Sequence, residues 1–251
     1  AENPLLAQDT FCKKTTFNWV GKKVLLDIQK QGSCCCCWAF ACTGSITALD
    51  AIIRKREVIP LSKQQLLDCM FKHYPMPELE AKLERRECFG LSLRMAYKFA
   101  KEQGIVEESK YHYIMERSNC KCPLDANIVK IDGQKQIDIE KTSNKAIKQR
   151  IKKQPLTCSV WAYPSFKKHV GEEIYMGPTE EETRIATSGD ENKKAVLHAL
   201  IIVGYGEVNG EAFYLVQNSW GKKWGYKGFA KIKQSLAIRL SYPFIDEEKK
   251  E

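Results

Sequence analysis

Three clusters of residues could carry chemistry. The run Cys34-Cys35-Cys36-Cys37 opens the apolar stretch Trp38-Ala39-Phe40, which puts a cysteine at the first turn of a helical pattern. Backbone N–H groups without intrahelical partners and the positive end of the helix dipole stabilise a thiolate there, so Cys37 is expected to have a lowered pKa. A thiolate that attacks a carbonyl also needs a proton donor for the leaving group. His198 lies inside the apolar run Val196-Leu197-His198-Ala199-Leu200, where a histidine taken alone is more often a satisfied core residue than a catalyst. In Gln217-Asn218-Ser219-Trp220-Gly221, an amide could orient an imidazole and an indole could shield that contact from water. Cysteine, histidine and asparagine in these roles are an acyl-transfer set. Two rival uses of the cysteines are visible: Cys34 and Cys37 form a C-x-x-C, as in thiol oxidoreductases, and Cys120-Lys121-Cys122 could supply metal ligands. Neither accounts for His198 or the Asn218 segment. No metal and no organic cofactor is expected.

The elements that must position these residues change character near the middle of the chain. Residues 37–56 carry apolar side chains along one face and no proline, which predicts a buried helix beginning at Cys37. Ser62 and Gln65 have capping-box spacing ahead of Leu66 and Leu67, and a third helix is expected over residues 92–103 with Gly104 as its stop. Between these, residues 70–87 hold Pro75, Pro77 and a charged stretch that reads as a surface excursion, its end left open between helix and loop. The second half reads as strands at 156–162, 196–205, 212–220 and 228–233, the third following the turn Asn209-Gly210. Helices first and strands after predict an α+β fold. If the halves pack as two lobes, the groove between them is the natural place for a site.

Composition narrows the function classes. Hydrophobic residues make up 43% of the 251 positions, enough for a core, which excludes intrinsic disorder. The longest apolar stretch, 195–203, is interrupted by His198 and is about half the ~18 to 20 residues a bilayer span needs. Residues 1–20 show no basic, apolar and small-residue order of the secretory kind, so a targeting segment is expected to have been removed or never present. The net charge of +9 invites a nucleic-acid reading, but the basic residues are scattered. The densest run, 145–153, is a short helical pattern without aromatics to stack bases, so no nucleic-acid partner is expected. Eleven cysteines point to an oxidising compartment, and an odd number leaves at least one unpaired within the chain.

Over nearly its whole length the chain resembles the papain-like cysteine proteases. The resemblance is carried by Asn18-Trp19, by Gln31-Gly32-Ser33-Cys34 with Cys37-Trp38-Ala39-Phe40, and by Leu66-Leu67-Asp68-Cys69. It continues through His198 with Val203-Gly204-Tyr205-Gly206, and Asn218-Ser219-Trp220-Gly221 with Trp224-Gly225 and Gly228. It implies one peptidase domain over 1–251. A helical lobe would take roughly 20–125, and an antiparallel, β-barrel-like lobe roughly 126–251 plus the N-terminal segment, with the active-site cleft between them. By the same resemblance Cys37 is the nucleophile, His198 the general acid/base and Asn218 its orienter. Gln31 and the Cys37 N–H form the oxyanion hole. Cys34 pairs with Cys88, and Cys69 with Cys120 or alternatively Cys122; Cys12, Cys42 and Cys158 stay unpaired. The implied partners are peptide or protein substrates, cystatin-type inhibitors and a removed propeptide. The implied setting is the secretory pathway, ending in a lysosome, vacuole or the extracellular space.

The departures from the family are local. Cys35 and Cys36 stand where glycine and then serine or alanine are usual, and the run Cys88-Phe89-Gly90-Leu91 puts Leu91 at a usual glycine, so Cys35 and Leu91 are expected to narrow the groove. The family's third disulfide has no counterpart, because Gly177-Pro178 continues with Thr179. His198 and Asn218 also stand farther beyond Cys37 than the family's ~130 to 150 residues, which insertions near 70–87 and in a charged loop at 180–194 absorb. The pocket for the residue two before the scissile bond aligns with Ser92, Leu93, Ser159, Val196 and Ala199, with Arg239 at its floor; Trp220 also lines the site. A medium apolar side chain is expected there, and an inward Arg239 would disfavour basic residues. The competing expectation is a catalytically weak or silent protein of the same fold, acting in binding or storage.

Overall fold

The computed structural model describes residues 3–121, 123, 125–188 and 195–246. In chain order its elements are α1 (Thr10–Lys13), β1 (Phe17–Asn18), α2 (Cys37–Arg54), α3 (Lys63–His73), α4 (Pro77–Glu80), α5 (Leu93–Glu102), β2 (Ile105–Val106), β3 (Ile128–Val129) and β4 (Gly133–Gln136). They continue with α6 (Asn144–Lys153), β5 (Leu156–Ala162), α7 (Pro164–Lys167), α8 (Glu180–Thr187), β6 (Val196–Val208), β7 (Glu211–Gln217), β8 (Phe229–Lys233) and β9 (Ile238–Phe244). The class is α+β. Two compact units divide the chain: a helical one built on residues 31–135 with 24–26 and the chain from 242 onward, and a strand unit of residues 1–23, 27–30 and 136–241.

The helical unit is organised around α2, which is buried from Trp38 to Ala51 on almost every side. Trp38 is 1% exposed, and its indole N–H donates to the Phe89 carbonyl at 2.7 Å while the two rings pack 5.4 Å apart. An indole is worth burying only when that N–H finds an acceptor. The helix ends at Lys55 in the left-handed region, where Asp50 receives Arg54 at 2.8 Å and Arg56 at 2.7 Å, so its buried carboxylate is answered twice. Ser62 caps α3 by accepting from the Gln65 N–H at 3.0 Å, but the reciprocal half of the capping box is not made. The Gln65 side chain instead accepts from the Val106 N–H at 2.8 Å and ties α3 to β2. The excursion after α3 holds the short helix α4, with proline at its first position, and its end, residues 81–87, is turns and irregular chain, not helix. Gly104 stops α5 at φ +76°, and a Cβ there would meet the Ile128 side chain, so the stop also permits the approach of β3. Both disulfides implied by the resemblance are present, Cys34–Cys88 and Cys69–Cys120, while Cys122 lies outside the described residues. Cys12, Cys42 and Cys158 are buried outside disulfides.

In the strand unit the sheet runs β9-β5-β6-β7-β8, with β1 added to β6 and β4 beyond β9, all antiparallel where the register is defined. Among the described residues this sheet is open and does not close into a barrel, which corrects the barrel-like expectation. Strand β5 pairs with β6 from Leu156↔Ile202 to Ala162↔Val196. The β6–β7 hairpin turns at Asn209-Gly210, both at positive φ, as a two-residue turn of the primed kind requires. Its ladder shifts by one residue between Ile202 and Gly204, a β-bulge that leaves Val203 without an opposite residue. On the other edge the Trp19 N–H donates to the Val203 carbonyl at 2.9 Å, and Phe17 and Asn18 lie against Tyr205 and Gly204. A Cβ on Gly204 would stand 2.4 Å from the Phe17 carbonyl oxygen, so only glycine allows that approach. The charged stretch from 180, expected as a loop, is helical through Thr187 because Thr179 and Glu182 form a complete capping box. Among the described residues no helix is long and apolar enough to cross a membrane.

Candidate active site

In the helical unit, α2 begins at Cys37, as the sequence pattern requires; Cys37 is half-buried. The three cysteines before it are in different states. Cys34 is in its disulfide, and Cys36 is fully buried, its sulfur 3.2 Å from Cys34 Sγ and 3.3 Å from the Tyr113 hydroxyl. Burial pushes the Cys36 thiol up to about 12, and desolvation also raises that of the exposed Cys35. Neither is poised to ionise at neutral pH. Gln31 is buried, and its side-chain amide donates to the Cys34 carbonyl at 2.8 Å while Tyr113 donates to the Gln31 carbonyl at 2.6 Å. The segment 31–37 is therefore held from both ends before the helix starts.

In the strand unit, His198 sits on β6 opposite Val160 and is 4% exposed. Its Nε2 lies 2.7 Å from Asn218 Oδ1, and the same oxygen accepts from the Ser219 backbone N–H at 2.8 Å. A backbone N–H can only donate, so the Asn218 atom is the carbonyl oxygen and Nε2 must carry a proton. In the neutral ring Nδ1 is then the basic nitrogen. Burial pushes the imidazole down to about 4, with the Asn218 hydrogen bond opposing and the Lys167 charge adding to the fall, so the ring is neutral at pH 7. Trp220 stacks on it with centroids 4.2 Å apart and planes 30° from parallel. The register explains the encounter. Gln217 ends β7 opposite Ile201, three residues along β6 from His198, and Asn218 follows at once.

The expected pocket residues are placed as follows. Ser159 and Ala199 are cross-strand partners and buried, whereas Val196, opposite Ala162, is 62% exposed. Gly90 is exposed with open space around it, Leu91 and Leu93 pack against the helical core, and Ser92 caps α5 by accepting from the Met95 N–H. Arg239 is exposed at φ 54°. Its neighbour Ile238, not Arg239, lines an apolar cavity of about 250 Å³ shared with Val160, Phe166, Tyr175, Pro178 and Leu236. Pro178, just ahead of Thr179 where the family's third disulfide has no counterpart, lies against this cavity.

Two residues escaped the sequence reading. Phe166 packs within 6.4 Å, centroid to centroid, of His198, Trp220, Trp224 and Tyr175, and Tyr113 holds both Gln31 and Cys36. A phenylalanine after a strand and a tyrosine in a loop carry no signal of such roles.

The strand unit thus holds a buried, neutral histidine bonded to an asparagine and stacked on a tryptophan, and the helical unit holds a cysteine at the head of its buried helix, within an α+β fold of the papain kind. The chain belongs to the papain family of cysteine proteases, whose description it matches over residues 14–241. It is 30% identical over 228 residues to the germination-specific cysteine protease 1 of Arabidopsis thaliana, covering 90% of this chain and 54% of that one. Among solved structures it is similar to a cysteine protease of Carica candamarcensis, with 26% identity, a TM-score of 0.71 and coverage of 92% and 98% of the two chains. It is also similar to a cysteine protease of ragweed, Ambrosia artemisiifolia, solved in its proform, with 25% identity, a TM-score of 0.66 and coverage of 91% and 64%. The chain spans 54% to 65% of the length of the first three curated relatives.

Proposed function

We propose that the protein is a thiol endopeptidase working through Cys37, His198 and Asn218. The observation that carries this reading is the His198–Asn218 pair: a buried, neutral imidazole whose Nε2 proton is committed to Asn218, leaving Nδ1 to accept a proton. In the proposed reaction Nδ1 takes the Cys37 thiol proton as the sulfur adds to the peptide carbonyl. Gln31 and the Cys37 N–H stabilise the oxyanion. The imidazolium then protonates the leaving nitrogen as the C–N bond breaks, giving an acyl-thioester and a free amine. Water, deprotonated by His198, adds to the thioester, and the C–S bond breaks to release the acid and restore the thiol. The Cys35 and Cys36 thiols, both raised, leave Cys37 as the nucleophile of the run.

Peptide or protein substrates follow from this chemistry. An apolar side chain two residues before the scissile bond would rest against Ser159, Val196 and Ala199. The proform of the ragweed relative supports a propeptide as a further partner. Two disulfides support a secretory-pathway setting, ending in a vacuole, lysosome or extracellular space. The test is cleavage of an unstructured peptide by the wild-type protein and by Cys37→Ala. Cleavage abolished by the substitution supports the reading. No cleavage by the wild type, with retained peptide binding, would instead assign the chain a binding role.

A further inference from the structure

Beside Trp220 the strand unit holds an open groove of about 470 Å³. Its floor is Trp220, Trp224 and Val170, the last 68% exposed, and its rim carries Lys167, Lys168 and Lys223 with His169. Main-chain bonds fix the shape: the Gly171 N–H donates to the Gly225 carbonyl at 3.1 Å and the Gly225 N–H to the His169 carbonyl at 3.0 Å. The Trp224 indole N–H donates to the Phe166 carbonyl at 2.9 Å, which holds that ring in the floor.

The groove is cationic over an apolar base, with no carboxylate among its lining residues. Lys168 is partly answered by Glu182, whose carboxyl feels its charge, so Lys167 and Lys223 carry most of the field. Like charges gathered at one rim favour an incoming anion. His169 adds a second sign. Burial lowers its pKa, and its Nε2 is buried with no hydrogen-bond partner among the described residues. A carboxylate in the groove would favour the protonated ring and give that nitrogen an acceptor.

The groove's position relative to the chemistry fixes which part of a ligand it meets. Trp220 is both its floor and the ring stacked on His198, and the Lys167 charge reaches His198. In the endopeptidase reading His198 hands its proton to the leaving amine. The residues carrying that amine must therefore lie against the imidazole and run on over Trp220.

We propose that this groove selects substrates with an acidic side chain, Asp or Glu, at the first or second residue after the scissile bond, an inference that rests on the endopeptidase reading. The side-chain methylenes lie on the indoles and Val170, and the carboxylate meets Lys167 and Lys223. Two partly exposed charge contacts correspond to a preference of about five- to tenfold.

Paired peptides differing only in Glu against Gln at those positions test it. The wild type is expected to show a five- to tenfold higher kcat/KM on the Glu peptide, shrinking as salt is raised. The ratio is expected to fall to about one in the Lys167→Met/Lys223→Met double variant. A wild-type ratio of one, or a preference that survives the double variant, overturns the assignment while leaving the peptidase reading intact. Binding of the same peptides to Cys37→Ala, followed by tryptophan fluorescence, separates the two claims. If the wild type cleaves neither peptide yet Cys37→Ala binds the Glu peptide more tightly and loses this preference with the two lysines, the groove's selectivity stands and the peptidase reading falls. Equal binding of both peptides overturns the groove's selectivity.

Discussion

Replacing Asn218 isolates what the amide does for His198. In Asn218→Ala the acceptor at 2.7 Å disappears from a ring that is 4% exposed, so the Nε2–H is left buried and unsatisfied. Stranding a buried donor costs about 1–3 kcal/mol. If that penalty falls on the reacting geometry, kcat/KM drops by about 5- to 150-fold at 1.36 kcal/mol per decade. Asn218→Asp is the companion variant. Asn218 Nδ2 makes no hydrogen bond among the described residues, so the exchange removes no contact from that atom, and the acceptor for Nε2 is kept. The new carboxylate favours the charged imidazole and raises its pKa from about 4. Because the base must be neutral to accept the thiol proton, the acid limb of the pH–rate profile should move to higher pH. The assay is hydrolysis of one peptide across pH 4 to 9 by the three proteins, with melting temperature as the control for folding. Activity of Asn218→Ala within twofold of wild type, in a protein that melts normally, would refute the orienting role, and an unmoved acid limb in Asn218→Asp would refute the electrostatic argument.

Brief iodoacetamide treatment at mildly acidic pH should label Cys37 first, with Cys36 protected by burial and a thiol at about 12; equal labelling of 35, 36 and 37 on mass spectrometry would contradict this. The disulfides close separations of 54 and 51 residues, so removing either pair by Cys→Ser substitution should destabilise the helical unit by about 4 kcal/mol in a chain-entropy treatment, read by urea unfolding. His198 gives a pH signature of stability. Its folded pKa of about 4 lies below the 6.5 of the unfolded ring, so the unfolded chain binds the proton first. Stability present above pH 6.5 is therefore lost as pH falls towards 4, by up to about 3 kcal/mol, and the loss should be absent in His198→Gln.

Much of this was legible because local rules and tertiary needs coincide. The start of α2 at Cys37 and the span of β5 from Leu156 to Ala162 follow from pattern and flanking residues alone. The Cys-His-Asn candidates could be named from residue type and order. Other parts were hidden for physical reasons. The helix α8 carries a readable capping box at Thr179 and Glu182, but its charge suggested a loop, since no residue of it is buried. Strand β9 contains Arg239 at positive φ and Pro243, which break the alternation a strand shows in sequence. The left-handed turn at Arg239 left its side chain exposed and Ile238 on the cavity, a local reversal that alignment by residue count cannot see. Phe166 and Tyr113 act only through neighbours distant in sequence, so their importance is a property of packing.

The bulge at Val203 has a consequence for which insertions and deletions this protein can survive. From Val208↔Glu211 to Gly204↔Leu215 the β6–β7 ladder is regular, and only the extra residue at 203 brings Gln217 opposite Ile201 instead of Ile202. One residue along a strand is about 3.4 Å, more than the whole His198–Asn218 contact, and it also turns the side chain to the other face. Sliding the strands so that Val203 pairs with Val216 would thus make a perfect ladder and separate the two polar residues, whereas deleting Val203 leaves Ile202↔Val216 and Ile201↔Gln217 as they are. Length changes at the Asn209-Gly210 tip, likewise, can be taken up in the turn. The hairpin can accordingly change length at its exposed tip and at the bulge, where the extra residue pairs with nothing, while the pairing of Ile201 with Gln217 is what holds His198 beside Asn218 and must be kept.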